Sequence, residues 1–290
     1  MLTESAEGWR TLLIAISLVN VLAWSAAAAV LLLRKGASPS PPEMPSLRRT
    51  LLLLSAGYVF GCAYRSFWPV YDIPRVVMVD TWMSSVLVGR SVATVAELCF
   101  VMQCALLLRA AGAVAGNRFA GLVARLLLPM ALVAETCSWY SVLSTSNLGH
   151  VFEESLWGLG AGLWTAGLLA LWPSSTAPTR RLLMLCAVFG VAYVSYMFAV
   201  DVPMYWARWL ADESAGRPYL DLAQGLADVS GRWTVSTSWH HWRGEVAWMT
   251  LYFSVAVWLS IALVHLPLPR PALARAVPGR LARAQADGAP

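Results

Sequence analysis

Seven apolar stretches govern what this chain can fold into, because about 20 apolar residues are needed to carry a helix across roughly 30 Å of hydrocarbon. They fall at about 11–33, 50–70, 86–109, 120–143, 149–172, 182–204 and 244–266. Outside them there is too little polar chain for a water-facing globule: of 290 residues, 58% are hydrophobic and 13% charged, and the mean hydropathy is +0.60. The expected fold is all-α, a polytopic seven-transmembrane-helix bundle forming a single domain over residues 1–266. Arg34-Lys35 follows the first stretch as a stop-transfer flank, so that stretch reads as a retained span and not as a cleaved signal peptide.

Arginine and lysine beside a span are retained on the cytoplasmic side, and their alternation gives an orientation. Arg34, Lys35, Arg48 and Arg49, then Arg109 and Arg118, then Arg180 and Arg181 occupy the first, third and fifth loops, and Arg270, Arg275, Arg280 and Arg283 the tail. On the other side Arg10 is offset by Glu4 and Glu7, and Arg75 by Asp72 and Asp80. The N-terminus is therefore expected outside and the C-terminus in the cytoplasm, with the plasma (inner) membrane as the expected location. A basic inner face suits anionic membrane lipids, and a nucleic-acid partner has no support because no basic patch sits on a folded soluble domain.

Two segments read as non-membrane. The Pro/Ser-rich stretch Gly36–Ser46 is expected to be a flexible linker, and the basic tail 267–290 to be disordered. The segment 206–243 is the longest outer loop, rich in tryptophan, with a short interfacial helix expected between Pro218 and Val229; it is a candidate lid. Cys62, Cys99, Cys104, Cys137 and Cys186 all fall within spans and read as packing residues.

Ionisable groups inside a span are costly and mark either a buried ion pair or a functional pathway. Counting at 1.5 Å per residue places Glu97 roughly 15 Å and Glu135 roughly 12 Å below the outer surface, at one level. Helical period gathers further residues into stripes: Arg90, Thr94, Glu97 and Cys104 in span three, Tyr193, Met197, Asp201 and Tyr205 in span six, and His241, Glu245, Trp248 and Tyr252 in span seven. Facing one another, they would enclose a polar cavity in the outer half, with Arg65 from span two, His150, Glu153 and Glu154 from span five, and walls of Trp139, Tyr140, Trp157 and Trp248.

Three chemistries fit such a cavity. In the first, His150, Glu153, Glu154, His241 and Glu245 hold a divalent metal, zinc or iron, since His150-x-x-Glu153 and His241-x-x-x-Glu245 each put an imidazole and a carboxylate on one helical face. In the second, Glu97, Glu135 and Asp201 handle protons for a lipid or isoprenoid-like substrate, with Arg65, Arg90, Tyr140, Trp157 and Trp248 as ion-pair or substrate contacts. In the third, the same residues pair structurally, relay protons or bind a cation or small-molecule ligand during transport.

The N-outside seven-span plan, the late Asp of Tyr-Met-Phe-Ala-Val-Asp201 and the Trp-His240-His241-Trp cluster are similar to the alkaline ceramidase and progestin-receptor-like hydrolases. That resemblance implies a zinc ion held by Ser, Asp and three His. The sequence departs from it in span two, where Cys62, Tyr64, Arg65 and Ser66 include no His, and at Glu245, where the second His is expected. The preferred expectation is an integral-membrane enzyme acting on a lipid-like substrate; an ion- or proton-coupled transporter, channel or ligand-binding protein is the alternative.

Overall fold

A computed structural model describes residues 5–33 and 43–266. Residues Gly36–Pro42 of the expected linker, and the tail from Pro267, lie outside the described residues. The remainder of the linker is helical, because α2 begins at Glu43.

Five long helices come first: α1 (Glu7–Leu33), α2 (Glu43–Phe67), α3 (Val86–Ala115), α4 (Arg118–Ser144) and α5 (Leu148–Ala170). A sixth continuous segment, Ala177–Ser214, consists of α6 (Ala177–Tyr196), a π-helical turn at Met197–Asp201, and α7 (Val202–Ser214). After the short helices α8 (Leu222–Gly231) and α9 (Trp239–Trp242), the last segment is α10 (Val246–Leu251), a second π-helical turn at Tyr252–Ala256, and α11 (Val257–His265).

Six of the described segments are long and apolar enough to cross a membrane: Glu7–Leu33, Val86–Ala115, Arg118–Ser144, Leu148–Ser174, Ala177–Ser214 and Val246–His265. Helix α2 has 25 residues and is long enough, but Arg48, Arg49 and Arg65 dilute its apolar run and it is not one of the six. It packs between α1, α3 and α11. The distribution of side chains is inverted relative to a water-soluble protein: Leu22 is 69% and Leu53 72% exposed, while Arg90, Glu135 and Glu153 are buried. Apolar side chains facing outward and charges facing inward suit a lipid solvent, and the chain is an integral multi-pass membrane protein.

Local chemistry sets the connections. Ser85 caps α3 by accepting from the Val88 amide, and α3 ends on Gly116 at φ 65°, a left-handed position that glycine adopts without Cβ strain. Asn117 then caps α4 through the Ala120 amide. The sixth segment was expected to stop at 204, after Pro203, yet it runs on to Ser214. The π turn directly before Pro203 opens the hydrogen-bond ladder where proline has no N–H to give, so the helix continues past it.

One end of the bundle carries a folded cap. A three-stranded sheet joins β1 (Val70–Tyr71), β2 (Val76–Val77) and β3 (Thr234–Val235), antiparallel between the first pair and parallel between the second. Asp221 opens α8 with a reciprocal capping box to Gln224. Gly225 sets α8 against α4, since a Cβ there would lie 2.3 Å from the Leu143 carbonyl oxygen.

Arg75, 2% exposed, is the strut of this cap. It donates from Nε to Asp228 Oδ2 at 2.7 Å, from Nη1 to the Asp72 carbonyl at 2.6 Å and from Nη2 to the Val142 carbonyl at 2.6 Å. The segment 206–243, expected as a loop with one helix, is thus the end of α7 followed by a structured lobe tied to α4.

Candidate functional site

Arg90, Thr94 and Glu97 occur at intervals of four and three on α3 and so share one face. That face meets Glu135 on α4 and Glu153 on α5, both 3% exposed. The three carboxylates converge on one guanidinium nitrogen: Arg90 Nη2 lies 2.8 Å from Glu135 Oε2, 3.1 Å from Glu153 Oε1 and 3.2 Å from Glu97 Oε2. A charge donating to three acceptors at these distances is strongly held, and charge-assisted bonds of this kind are roughly twice as strong as neutral ones.

The network extends on both sides. Thr94 Oγ1 donates to Glu135 Oε2 at 2.5 Å and accepts from Trp139 Nε1 at 3.1 Å. His150 Nδ1 lies 2.6 Å from Glu153 Oε2, and its backbone amide donates to Ser141 Oγ at 2.7 Å, which fixes the first turn of α5 to α4. Tyr252 donates its hydroxyl to Glu97 Oε1 at 2.8 Å from the π turn of the last segment. Arg65 Nη1 stands 3.9 Å from the same oxygen, and its guanidinium faces the rings of Trp248, Tyr252 and Phe253 at 5.7–5.8 Å. Glu245 accepts from Trp248 Nε1 at 2.6 Å. Helices α2, α3, α4, α5 and the last segment thus contribute to one connected array.

Of the residues expected in the site, the structure brings together Arg65, Arg90, Glu97, Glu135, His150, Glu153, Trp248 and Glu245. Asp201 is buried on the π turn of the sixth segment, and Glu154 is half-buried beside Glu153; neither is bonded to the array. Three expected residues lie elsewhere. Tyr140 is 52% exposed, because five residues from Glu135 rotate it about 140° around α4. Trp157 packs into the apolar cluster of Val101, Leu127 and their neighbours. His241 is exposed on the four-residue α9 and bonds Ser236 Oγ at 2.8 Å, because the backbone turns at Arg243-Gly244 and the spacing to Glu245 is not that of a continuous helix.

This separates the halves of the proposed metal set, His150 being buried against Glu153 and His241 exposed at Ser236. Oxygens of Glu97, Glu135 and Glu153 do lie within 4.8 Å of one another, the spacing of ligands around an ion. The Arg90 nitrogen stands among them, however, so the cation these carboxylates hold is the guanidinium.

Sequence reasoning missed Tyr71 and Arg208. The Arg208 guanidinium lies 5.2 Å from the Tyr205 ring and 5.8 Å from the Tyr71 ring, while the Tyr205 ring stands 4.9 Å from that of His150. Arg208 follows Tyr205 by three residues on the same helical face, a spacing that becomes visible once the sixth segment is extended beyond 204. No family model, curated protein or solved structure matches the chain.

Proposed function

We propose that this protein is an ion- or proton-coupled membrane transporter of seven spans, with the cap outside, the C-terminus in the cytoplasm and the Arg90 array as its charge-carrying site. One observation carries the reading: three buried glutamates, Glu97, Glu135 and Glu153, face two arginines, Arg90 and Arg65. In a low-dielectric interior an unbalanced charge is expensive, and with Glu245 also in the array the carboxylates outnumber the guanidiniums, so the array favours added positive charge. A proton or another small cation can supply it. A site that accepts one positive charge and returns it is the element a coupled transporter needs.

The two π turns support the same reading. Each lies in a spanning segment at a residue of the polar region, Asp201 in one and Tyr252 in the other, and π turns mark places where a helix departs from regular bonding for function.

The test is proton movement in liposomes containing the purified protein, read by an internal pH-sensitive dye after a membrane potential or a cation gradient is imposed. Wild type is expected to acidify or alkalinise the lumen well above empty liposomes, and Glu135→Gln, which keeps shape but removes charge, to reduce the rate at least about tenfold, some 1.4 kcal/mol. Equal rates in wild-type and empty liposomes would remove the proposal.

A further inference from the structure

The second π turn, Tyr252–Ala256, takes backbone carbonyls out of the regular helical ladder, and one of them is met from α1. Asn20 donates from Nδ2 to the Phe253 carbonyl at 2.7 Å. Its side chain is 2% exposed, and its Oδ1, an acceptor with two lone pairs, has no hydrogen-bond partner among the described residues. Leaving a buried amide oxygen without a donor costs about 1–3 kcal/mol. The hydroxyls nearby are committed elsewhere: Ser254 donates to the Thr250 carbonyl at 2.5 Å and Ser17 to Ser66 Oγ at 2.7 Å.

Asn20 forms the floor of a groove between α1 and the last segment, walled by Ala15, Ile16, Val19, Ser254 and Trp258 and enclosing about 310 Å³. An apolar concavity with one fixed polar group is the usual build of a small-ligand site. Val19 and Trp258 are half-exposed, so the groove opens on the lipid. Its depth narrows the choice of occupant. At 1.5 Å per residue Asn20 lies roughly 20 Å along α1 from Glu7, and Trp258 roughly 18 Å along the last segment from Val246, both near the middle of the bilayer. Phospholipid chains carry no donor at that depth, and their headgroups stay at the surface. A sphere of the groove's volume is about 8 Å across, less than the 10–12 Å of a helix with its side chains, which favours a slender chain over a neighbouring helix.

We infer that this groove binds a lipid alcohol, a single hydroxyl on a slender apolar body of the isoprenoid kind. The hydroxyl donates to Asn20 Oδ1, and the body lies against Ala15, Ile16, Val19 and Trp258. Burial of the chain supplies most of the affinity, and the one hydrogen bond selects an alcohol over a plain hydrocarbon.

Farnesol carrying a diazirine is the probe, photolysed with the full chain in lipid nanodiscs, with labelled peptides located by mass spectrometry. Labelling should concentrate on residues 15–20 and 254–258, and the matching hydrocarbon without the hydroxyl should label them at least about tenfold less. Val19→Trp fills the groove from its lipid-facing rim and should lower labelling about tenfold, whereas Val95→Trp, on the exposed face of α3, should leave it unchanged. Asn20→Leu keeps the size, removes the acceptor and should match Val19→Trp; should it fail to fold, Val19→Trp and the hydrocarbon comparison still decide. Equal labelling by alcohol and hydrocarbon, or no preference for this groove, overturns the inference. So does a disulfide between two chains of a Val19→Cys variant in place of labelling, which would put a second copy there. None of these results bears on proton movement through the Arg90 array, so the two proposals fail separately.

Discussion

Arg90→Ala is expected to cost about 3–5 kcal/mol of stability, because it leaves three buried carboxylates without the guanidinium that holds them. Membrane and soluble domains alike have net stabilities of only about 5–15 kcal/mol, so the variant should lose much of its folded population. Thermal unfolding in detergent or nanodiscs measures this directly. Adding Glu135→Gln to Arg90→Ala should recover part of the loss, since it removes one of the orphaned charges; Arg90→Leu without any loss of midpoint would mean that the array contributes no cohesion. Arg90→Lys should fall between, as an ammonium cannot reproduce a guanidinium fork shared among acceptors.

Arg75→Ala should release the cap from the bundle. The substitution removes the ion pair with Asp228 and the two bonds to the Asp72 and Val142 carbonyls, a loss of roughly 3–5 kcal/mol for a buried partner. Limited proteolysis should then cut within 215–238 while the spanning helices stay intact. Acid should act in the same direction. Burial opposes the Asp228 carboxylate, but hydrogen bonds and charge from Arg232 and Arg75 outweigh it and hold its pKa below the ordinary value. A depressed carboxyl contributes stability that is present above the unfolded-state value of about 3.9 and is lost as pH falls through the folded one. Amide exchange in α8 and β3 should therefore accelerate below about pH 4, and in Arg75→Ala the acid-dependent part should shrink.

The contrast between these two arginines shows what a linear chain discloses. Arg90 sits in an apolar stretch with Thr94 and Glu97 at helical spacing, so its face and its depth follow from period and hydropathy. Arg75 sits in a short connection with Asp72 and Asp80 nearby, where it looks like a surface charge balancing its neighbours. Besides the Asp72 carbonyl three residues before it, its partners are 67 and 153 positions away, and no local pattern points to those two.

The spanning helices were legible for the same reason as Arg90, because lipid imposes length and composition on each one separately. Helix ends were less so. Pro203 reads as a terminator, and the π turn that accommodates it has no sequence signature, which hid the run to Ser214 and with it Arg208. His241 was placed on the face of Glu245 by assuming one unbroken helix, whereas Arg243-Gly244 turns the chain between them. Tyr140 shows the cost of ignoring phase: it lies at the right depth but on the lipid-facing side of α4.

The central claim is that carboxylates from α3, α4 and α5 share a single guanidinium. A double-mutant cycle of Glu135→Gln and Glu153→Gln, with unfolding free energies measured in one membrane mimetic, tests it most directly. Two acids competing for the same Arg90 nitrogen should be coupled by about 1 kcal/mol or more, with the double variant departing from the sum of the singles. Additivity within about 0.5 kcal/mol would mean that the two acids answer to separate partners, and the shared array would not exist.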